Sequence, residues 1–371
     1  MMRQITFIVV LLIVWLPRIA VGQELVWHNP QEAAFNPIEG QFWQGEERAG
    51  FYNRFPDSFK ELVRESVWRL STNSAGLSIR FRTNSPKITV RYNLTDSLLS
   101  LNHMPKTGSS GVDLYRYDSA GDMLRVAGRF AFNEDVAYTY TSLNSHDMTD
   151  PDGYLYHLYL PLYNGVKRMQ IGVEEGSYFE FIEPRTEDPI VVYGTSITQG
   201  ACASRPAMAW SSIVSRELNM PLYNFGFSGN GKLEDAIVDM ISQIDASIYL
   251  LDCMPNLQHS ESAVITELVC KAVHTLRERH PKTPIVLTDH LGYSDQAVVD
   301  RQRGLVDNCL VAQKRAYDML IEEGVEDLYY LSSETLSFTP DAIVDYVHPS
   351  DYGMMIYADA YNELIRSILG L

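Results

Sequence analysis

Ser196 stands two residues past Gly194, which closes a short apolar run from Ile190 to Tyr193. The stretch reads IVVYGTSITQG, and an amphipathic helical pattern begins near Ala207. The apolar run shows no period-2 alternation, which predicts a strand buried on both faces of a parallel sheet. A hydroxyl just past the carboxyl end of such a strand lies where open α/β sheets place their ligands. The two glycines allow a sharp turn and close approach of a substrate. A serine there is a nucleophile only if the chain also supplies a base and an oxyanion site. Without them it is one more hydroxyl residue in a helix-capping loop. The G-x-S-x-G elbow is absent, because position 198 is Thr.

Three further stretches carry the missing chemistry. Asn224-Phe225-Gly226-Phe227-Ser228-Gly229-Asn230-Gly231 follows a second apolar run, and its glycines expose backbone N–H groups. Asp252-Cys253-Met254-Pro255-Asn256 follows a third, and Asn256 offers a side-chain donor. Asp345-Tyr346-Val347-His348-Pro349 precedes the last helical pattern. An Asp three residues before a His can fold back to hold Nδ1–H, leaving Nε2 to take a proton from a hydroxyl. Each stretch alone fits a turn or a cap. Their joint order, with one part of an acyl-transfer site at each strand end or helix start, is the signal. Arg205, in Ala203-Ser204-Arg205-Pro206, either contacts substrate or closes its loop by hydrogen bonding. His290 is a further polar residue at the same edge, without a catalytic assignment.

The elements that position these residues divide the chain in two. From Gln23 to about Arg185 the pattern is short alternating runs: Leu77 to Arg82, Lys87 to Tyr92, Val112 to Tyr117, Leu124 to Phe132, Val136 to Tyr140, Tyr154 to Leu160 and Arg168 to Val173. Turn clusters such as Thr83-Asn84-Ser85-Pro86 separate them, which predicts an all-β sandwich or jelly roll. Phe59 to Leu70 reads as one short helix capped by Asp57 or Ser58, or as a lead-in. Trp27, Trp43, Trp68 and the many tyrosines of this half fit core packing better than sugar stacking. A polar, proline-bracketed linker spans Glu183 to Pro189. Beyond it strand and helix alternate: Ile190–Tyr193, Ala207–Leu218, Leu222–Phe225, Leu233–Gln243, Ser247–Leu251, Ser260–Arg279, Ile285–Thr288, Val298–Glu322, Leu328–Leu331 and Tyr352–Leu369. Repeated βα units predict a parallel sheet with helices on both faces.

The 371 residues favour two domains, and 30 basic against 47 acidic residues give a net charge of −17. That acidity argues against nucleic acid or an anionic membrane as a partner. Arg3, the apolar run Ile5 to Leu16 and the small-residue exit Ala20-Val21-Gly22 read as a secretory signal peptide cut after Gly22. The mature chain is therefore expected in the periplasm or secreted, with residues 23–187 as the β-sandwich domain and 188–371 as the α/β domain. Cys202, Cys253, Cys270 and Cys309 fit no zinc spacing. With strand order 2-1-3, Cys202 and Cys253 come close enough for a disulfide; free thiols are the alternative.

Taken together, the motifs resemble the SGNH (GDSL-like) hydrolase superfamily from about Pro189 to the C-terminus. GTSITQG is similar to its first block, NFGFSGNG to its second, DCMPN to its third and DYVHP to its fifth. Thr195 stands where GDSL enzymes have Asp, and Leu257 stands where an Asp usually follows the asparagine. Gly111-Val112-Asp113-Leu114-Tyr115 resembles the GxDLY signature of a β-rich domain that precedes such hydrolases in exported bacterial proteins. The resemblance implies a flavodoxin-like three-layer α/β/α domain. It also implies a Ser196-His348-Asp345 triad, an oxyanion hole from Ser196 N–H, Gly229 N–H and the Asn256 side chain, and no metal or organic cofactor. The expected activity is an exported O-acylesterase, acting on acetylated carbohydrates. A lipid or thioester acylhydrolase of the same superfamily and a glycan-binding protein with an inert hydrolase half are the alternatives. The complete set of five site residues argues against the last.

Overall fold

The computed structural model describes residues 24–143 and 151–371, so the signal peptide expected at residues 1–22 lies outside them. The strands of the N-terminal half are β1 (Leu25–His28), β2 (Ile38–Glu39), β3 (Ser78–Thr83), β4 (Lys87–Leu94), β5 (Asp113–Tyr117), β6 (Met123–Val126), β7 (Arg129–Phe132), β8 (Val136–Thr141), β9 (Tyr154–Tyr159), β10 (Val166–Glu174) and β11 (Phe179–Phe181). They form two antiparallel sheets, β1-β10-β4-β8-β7 and β11-β3-β9-β5-β6, with β2 paired to β3. Alternate residues of each sheet point inward. Ile88, Val90 and Tyr92 of one meet Ile79, Phe81, Leu114 and Leu158 of the other in a single core. This is a β-sandwich.

Two readings are corrected here. The run Leu124 to Phe132 is two strands, because the chain changes sheets at Ala127-Gly128. A Cβ on Gly128 would lie 2.7 Å from the Tyr140 ring, so only glycine fits that crossing. Phe59 to Leu70 is not one helix: a 3₁₀ turn at Asp57–Phe59 is followed by a helix only at Glu65–Ser71. The proposed cap Asp57 instead accepts a hydrogen bond from Ala49 N at 2.9 Å.

The C-terminal half carries β12 (Ile190–Gly194), β13 (Leu222–Gly226), β14 (Ile248–Asp252), β15 (Ile285–Thr288) and β16 (Leu328–Leu331) in one parallel sheet, ordered β13-β12-β14-β15-β16. This is the flavodoxin-like 2-1-3-4-5 order. Every residue of β12 is buried, as its unbroken apolar run requires. Val191 and Tyr193 face helices Asp235–Ile241, Ser262–Arg279 and Asp300–Glu322. Ile190 and Val192 face helices Trp210–Glu217 and Asp351–Leu369.

The packing does not respect the linker. Trp43, Phe55, Phe59 and Val67 belong to the same core as Tyr193, Phe225 and Phe227. Arg54, 2% exposed, donates to Asn224 O and Gly226 O at 3.0 and 2.8 Å, and to Leu70 O and Asn73 O at 2.7 and 3.1 Å. Burial lowers its pKa to about 9. The linker itself is pinned. Arg185 donates to both Glu39 oxygens at 3.1 Å, and also to Ser215 Oγ and Asn219 Oδ1 at 3.3 Å. Of the tryptophans weighed for sugar stacking, Trp43 is buried, Trp68 packs on the same core, and Trp27 lies under Arg91.

Candidate active site

The site is assembled at the carboxyl ends of three adjacent strands. Gly194 of β12 is in register with Gly226 of β13 and Asp252 of β14. Ser196, Gly229 and Asn256 lie two, three and four residues beyond these points, and so at one edge of the sheet. The turn after β12 demands glycine, because a Cβ on Gly194 would lie 2.0 Å from Thr198 Oγ1.

Ser196 opens a one-turn helix, Ser196–Gln199. Thr195, not Ser196, is the capping hydroxyl: its Oγ1 accepts from Ile197 N at 3.2 Å. That leaves Ser196 Oγ for His348, whose Nε2 is 2.8 Å away. His348 Nδ1 lies 2.7 Å from Asp345 Oδ2. Asp345 Oδ1 accepts the N–H groups of Tyr346, Val347 and His348 at 2.6, 2.9 and 3.0 Å. Burial alone would raise the Asp345 pKa. The His348 bond and the backbone donors outweigh burial and hold it well below the usual carboxylate range. The aspartate is therefore a fixed anion that orients and polarises the imidazole.

His348 follows β16, two strands beyond β14, yet reaches Ser196 because the terminal helix turns back. Trp210 and Tyr361 stack at 4.3 Å between the helices Trp210–Glu217 and Asp351–Leu369. Ser350 caps that helix through Gly353 N, and Asp351 Oδ1 accepts from Ser204 N at 2.8 Å. Ser294 N donates to Tyr346 O at 3.0 Å, so the loop after β15 holds the His348 loop from the other side.

The oxyanion candidates are held by their own lattice of bonds. Asn256 Oδ1 accepts from Gly231 N at 3.0 Å, which leaves its NH₂ end for a ligand. Gly229 has φ +70°, yet among the described residues a Cβ there would meet nothing within 4 Å. Gly231 is the crowded one: a Cβ would sit 2.1 Å from Gly194 O. Gln199 Oε1 accepts from Ser228 N at 3.0 Å, and its Nε2 donates to Leu162 O of the sandwich half at 3.1 Å.

The structure also places Arg205, His290 and the cysteines. Arg205, a candidate for substrate binding, is committed to Asp113, and its Nη1 also donates to Tyr115 OH at 2.9 Å. The Asp and Tyr of the GxDLY segment thus clamp the nucleophile loop to the sandwich. His290 is buried, its Nδ1 accepts from Gly292 N at 2.9 Å, and burial lowers its pKa to about 4. The Cys202–Cys253 disulfide is not formed; all four cysteines are free. Cys253 Sγ points to Tyr193 O within the core, whereas Cys202 Sγ lies beside Asp345 and His348. The two thiols leave the sheet edge in different directions.

Sequence reasoning missed His103, Tyr163 and Asp252. His103, from the turn Leu101–Met104, stacks on His348 with centroids 5.4 Å apart and planes 8° from parallel. It sits in a stretch without a periodic pattern, and a lone His there carries no signal. Tyr163 OH donates to Ser196 O at 3.3 Å. Asp252, fully buried, accepts from Tyr357 OH at 3.1 and 3.0 Å, and burial raises its pKa to about 7.

The sheet order and the edge that carries these residues define an SGNH-type α/β hydrolase fold. Residues 187–366 match the model of the GDSL-like lipase/acylhydrolase family, and residues 25–179 match the GxDLY model, the N-terminus of SGNH-hydrolase-type esterases. A Bacteroides ovatus ATCC 8483 structure described as a GDSL-like lipase is 30% identical, with TM-score 0.82 over 94% of this chain and 98% of that one. The chain belongs to the GDSL-like lipase/acylhydrolase family. A salicylyl-acyltransferase of a tetracycline biosynthetic pathway shares the fold at 19% identity, with TM-score 0.72 over 94% of this chain and 98% of that one. A family two carbohydrate esterase from Clostridium thermocellum shares it at 12% identity, with TM-score 0.50 over 79% of this chain and 92% of that one. No curated protein matches the chain.

Proposed function

We infer that the chain is a serine esterase that hydrolyses O-acyl esters, with short acyl groups on carbohydrates as its substrates, in the periplasm or outside the cell. The observation that carries the esterase reading is the continuous chain from Ser196 Oγ through His348 to Asp345, with links of 2.8 and 2.7 Å. In this mechanism Ser196 Oγ attacks the ester carbonyl while His348 Nε2 takes its proton. The tetrahedral oxyanion is held by Ser196 N–H, Gly229 N–H and the Asn256 NH₂ group. His348 then returns the proton to the leaving alcohol, and water repeats the sequence on the acyl-enzyme. Asp345 keeps the tautomer that leaves Nε2 basic and stabilises the imidazolium.

The substrate class rests on fold neighbours that are carbohydrate esterases, together with the leader read in the sequence. Hydrolysis of p-nitrophenyl esters from acetate to decanoate, by wild type and S196A, tests it. Acetate preference that disappears in S196A supports the reading, and acetate release from acetylated xylan then tests the glycan. A long-chain optimum moves the substrate to lipids or thioesters.

A further inference from the structure

Acyl transfer needs one imidazole and no thiol, yet the site holds a second imidazole and a cysteine. His103, Cys202, Asp345 and His348 each offer one donor atom, and the four atoms lie within 4.8 Å of one another. Three separate elements bring them together. His103 rides on the turn Leu101–Met104, closed by hydrogen bonds of 3.0 and 3.1 Å between the backbones of those two residues. Cys202, 6% exposed, is held at φ +68° just after the nucleophile turn. The sandwich loop is locked on this turn by Thr107 Oγ1, which donates to Ser204 O at 2.7 Å.

We propose that this cluster binds Zn²⁺, and that occupancy switches the serine off by taking His348 away from it. Two imidazoles and a thiol, with a carboxylate behind one imidazole, suit a borderline-soft cation and not Mg²⁺ or Ca²⁺. Zinc–ligand bonds of about 2.0–2.3 Å put tetrahedral ligands roughly 3.3–3.8 Å apart, so the donor atoms must draw together on binding. The His103 and His348 rings are stacked with planes 8° from parallel, so half-buried His103 must rotate to share the ion. His348 Nδ1 is bonded to Asp345, so Asp345 stays behind the ligating ring, the carboxylate–histidine pairing common at zinc, and water completes the coordination of His103, Cys202 and His348. The nitrogen left to ligate is Nε2, which now faces Ser196 Oγ at 2.8 Å. One lone pair cannot hold the metal and accept the serine proton. The Cys202 thiol releases its proton to solvent as the sulfur–metal bond forms, and no electron is transferred.

Calorimetric titration of the full chain with ZnCl₂, beside ester hydrolysis over the same concentrations, tests this. Wild type is expected to bind one Zn²⁺ and lose turnover in parallel, with recovery on adding EDTA and no response to MgCl₂. Each of H103A and C202A, measured against its own uninhibited rate, needs at least tenfold more Zn²⁺ for half-inhibition. Binding is read separately in S196A, which is expected to take up Zn²⁺ without turnover. This keeps the metal site distinct from the esterase reading. Cobalt adds a spectroscopic check: wild type gives a thiolate-to-Co²⁺ band that C202A lacks. Equal half-inhibition in wild type and both variants, or stoichiometric binding with unchanged turnover, overturns the proposal.

Discussion

Asn256 is the side-chain donor of the proposed oxyanion site. Its oxygen is held by Gly231 N–H at 3.0 Å, so N256A leaves the loop glycine one bond short but removes the donor from the oxyanion site. Steady-state kinetics on a short ester should show kcat lower by roughly 10²–10³, with a far-ultraviolet spectrum like wild type. The loop glycines should separate by cause. G229A keeps its N–H and meets no atom of the described residues within 4 Å, so it carries the strain of φ +70°, about 1–2 kcal/mol. G231A drives a Cβ into Gly194 O, two residues from Ser196, and should lower kcat by about 10² through misplacement. Chemical melts and kcat measured on both variants check the order. The roles of Gly229 and Asn256 came from matching motif blocks. Which glycine is conformational and which is steric was not legible, because crowding against Gly194 is a contact across strands.

At the scale of elements, β2 and the linker are one unit. Glu39 is buried, which by itself raises its pKa, but the Arg185 hydrogen bonds and charge bring it from 4.5 down to about 2. The folded carboxyl binds its proton less readily than the unfolded one. The pair's contribution is therefore complete above about pH 4.5 and is lost as pH falls toward 2. E39Q should lower Tm at pH 7 by several degrees, and the gap to wild type should shrink as the pH falls from 4.5 toward 2. Thermal melts across that range check it, and a gap independent of pH would remove the ionic cause. The polar stretch Glu183 to Pro189 lies between β11 and β12. It hides that Arg185 is fixed, because its partner Glu39 lies 146 residues earlier. The βα alternation itself was readable, since buried parallel strands are unbroken apolar runs. Helix starts were less so: the helix expected from Ala207 begins at Trp210, after a 3₁₀ turn at Pro206–Met208.

At the scale of the molecule, the sandwich is part of the site. His103, Arg54, Leu162 and the Asp113–Arg205 pair reach the nucleophile and oxyanion loops from it. A chain of residues 188–371 alone would expose Phe225 and Phe227, which pack against Trp43 and Phe55. It would also strip Arg54 from the Asn224 and Gly226 carbonyls. That fragment is expected to aggregate or to bind hydrophobic dye strongly, whereas residues 24–371 stay monodisperse in size-exclusion chromatography. A soluble, active fragment would show the docking to be dispensable. None of this was visible in the sequence. Two patterns of different period mark two halves, and a core that runs across them leaves each period intact.

The central claim is that Ser196 is the nucleophile activated through His348 and Asp345. Its most direct test is to treat the protein with a fluorophosphonate ester and map the adduct by peptide mass spectrometry. One label per chain on the peptide bearing Ser196 is expected, with labelling at least 10³-fold slower in H348A. A label on any other residue, or equal labelling of H348A, would contradict it.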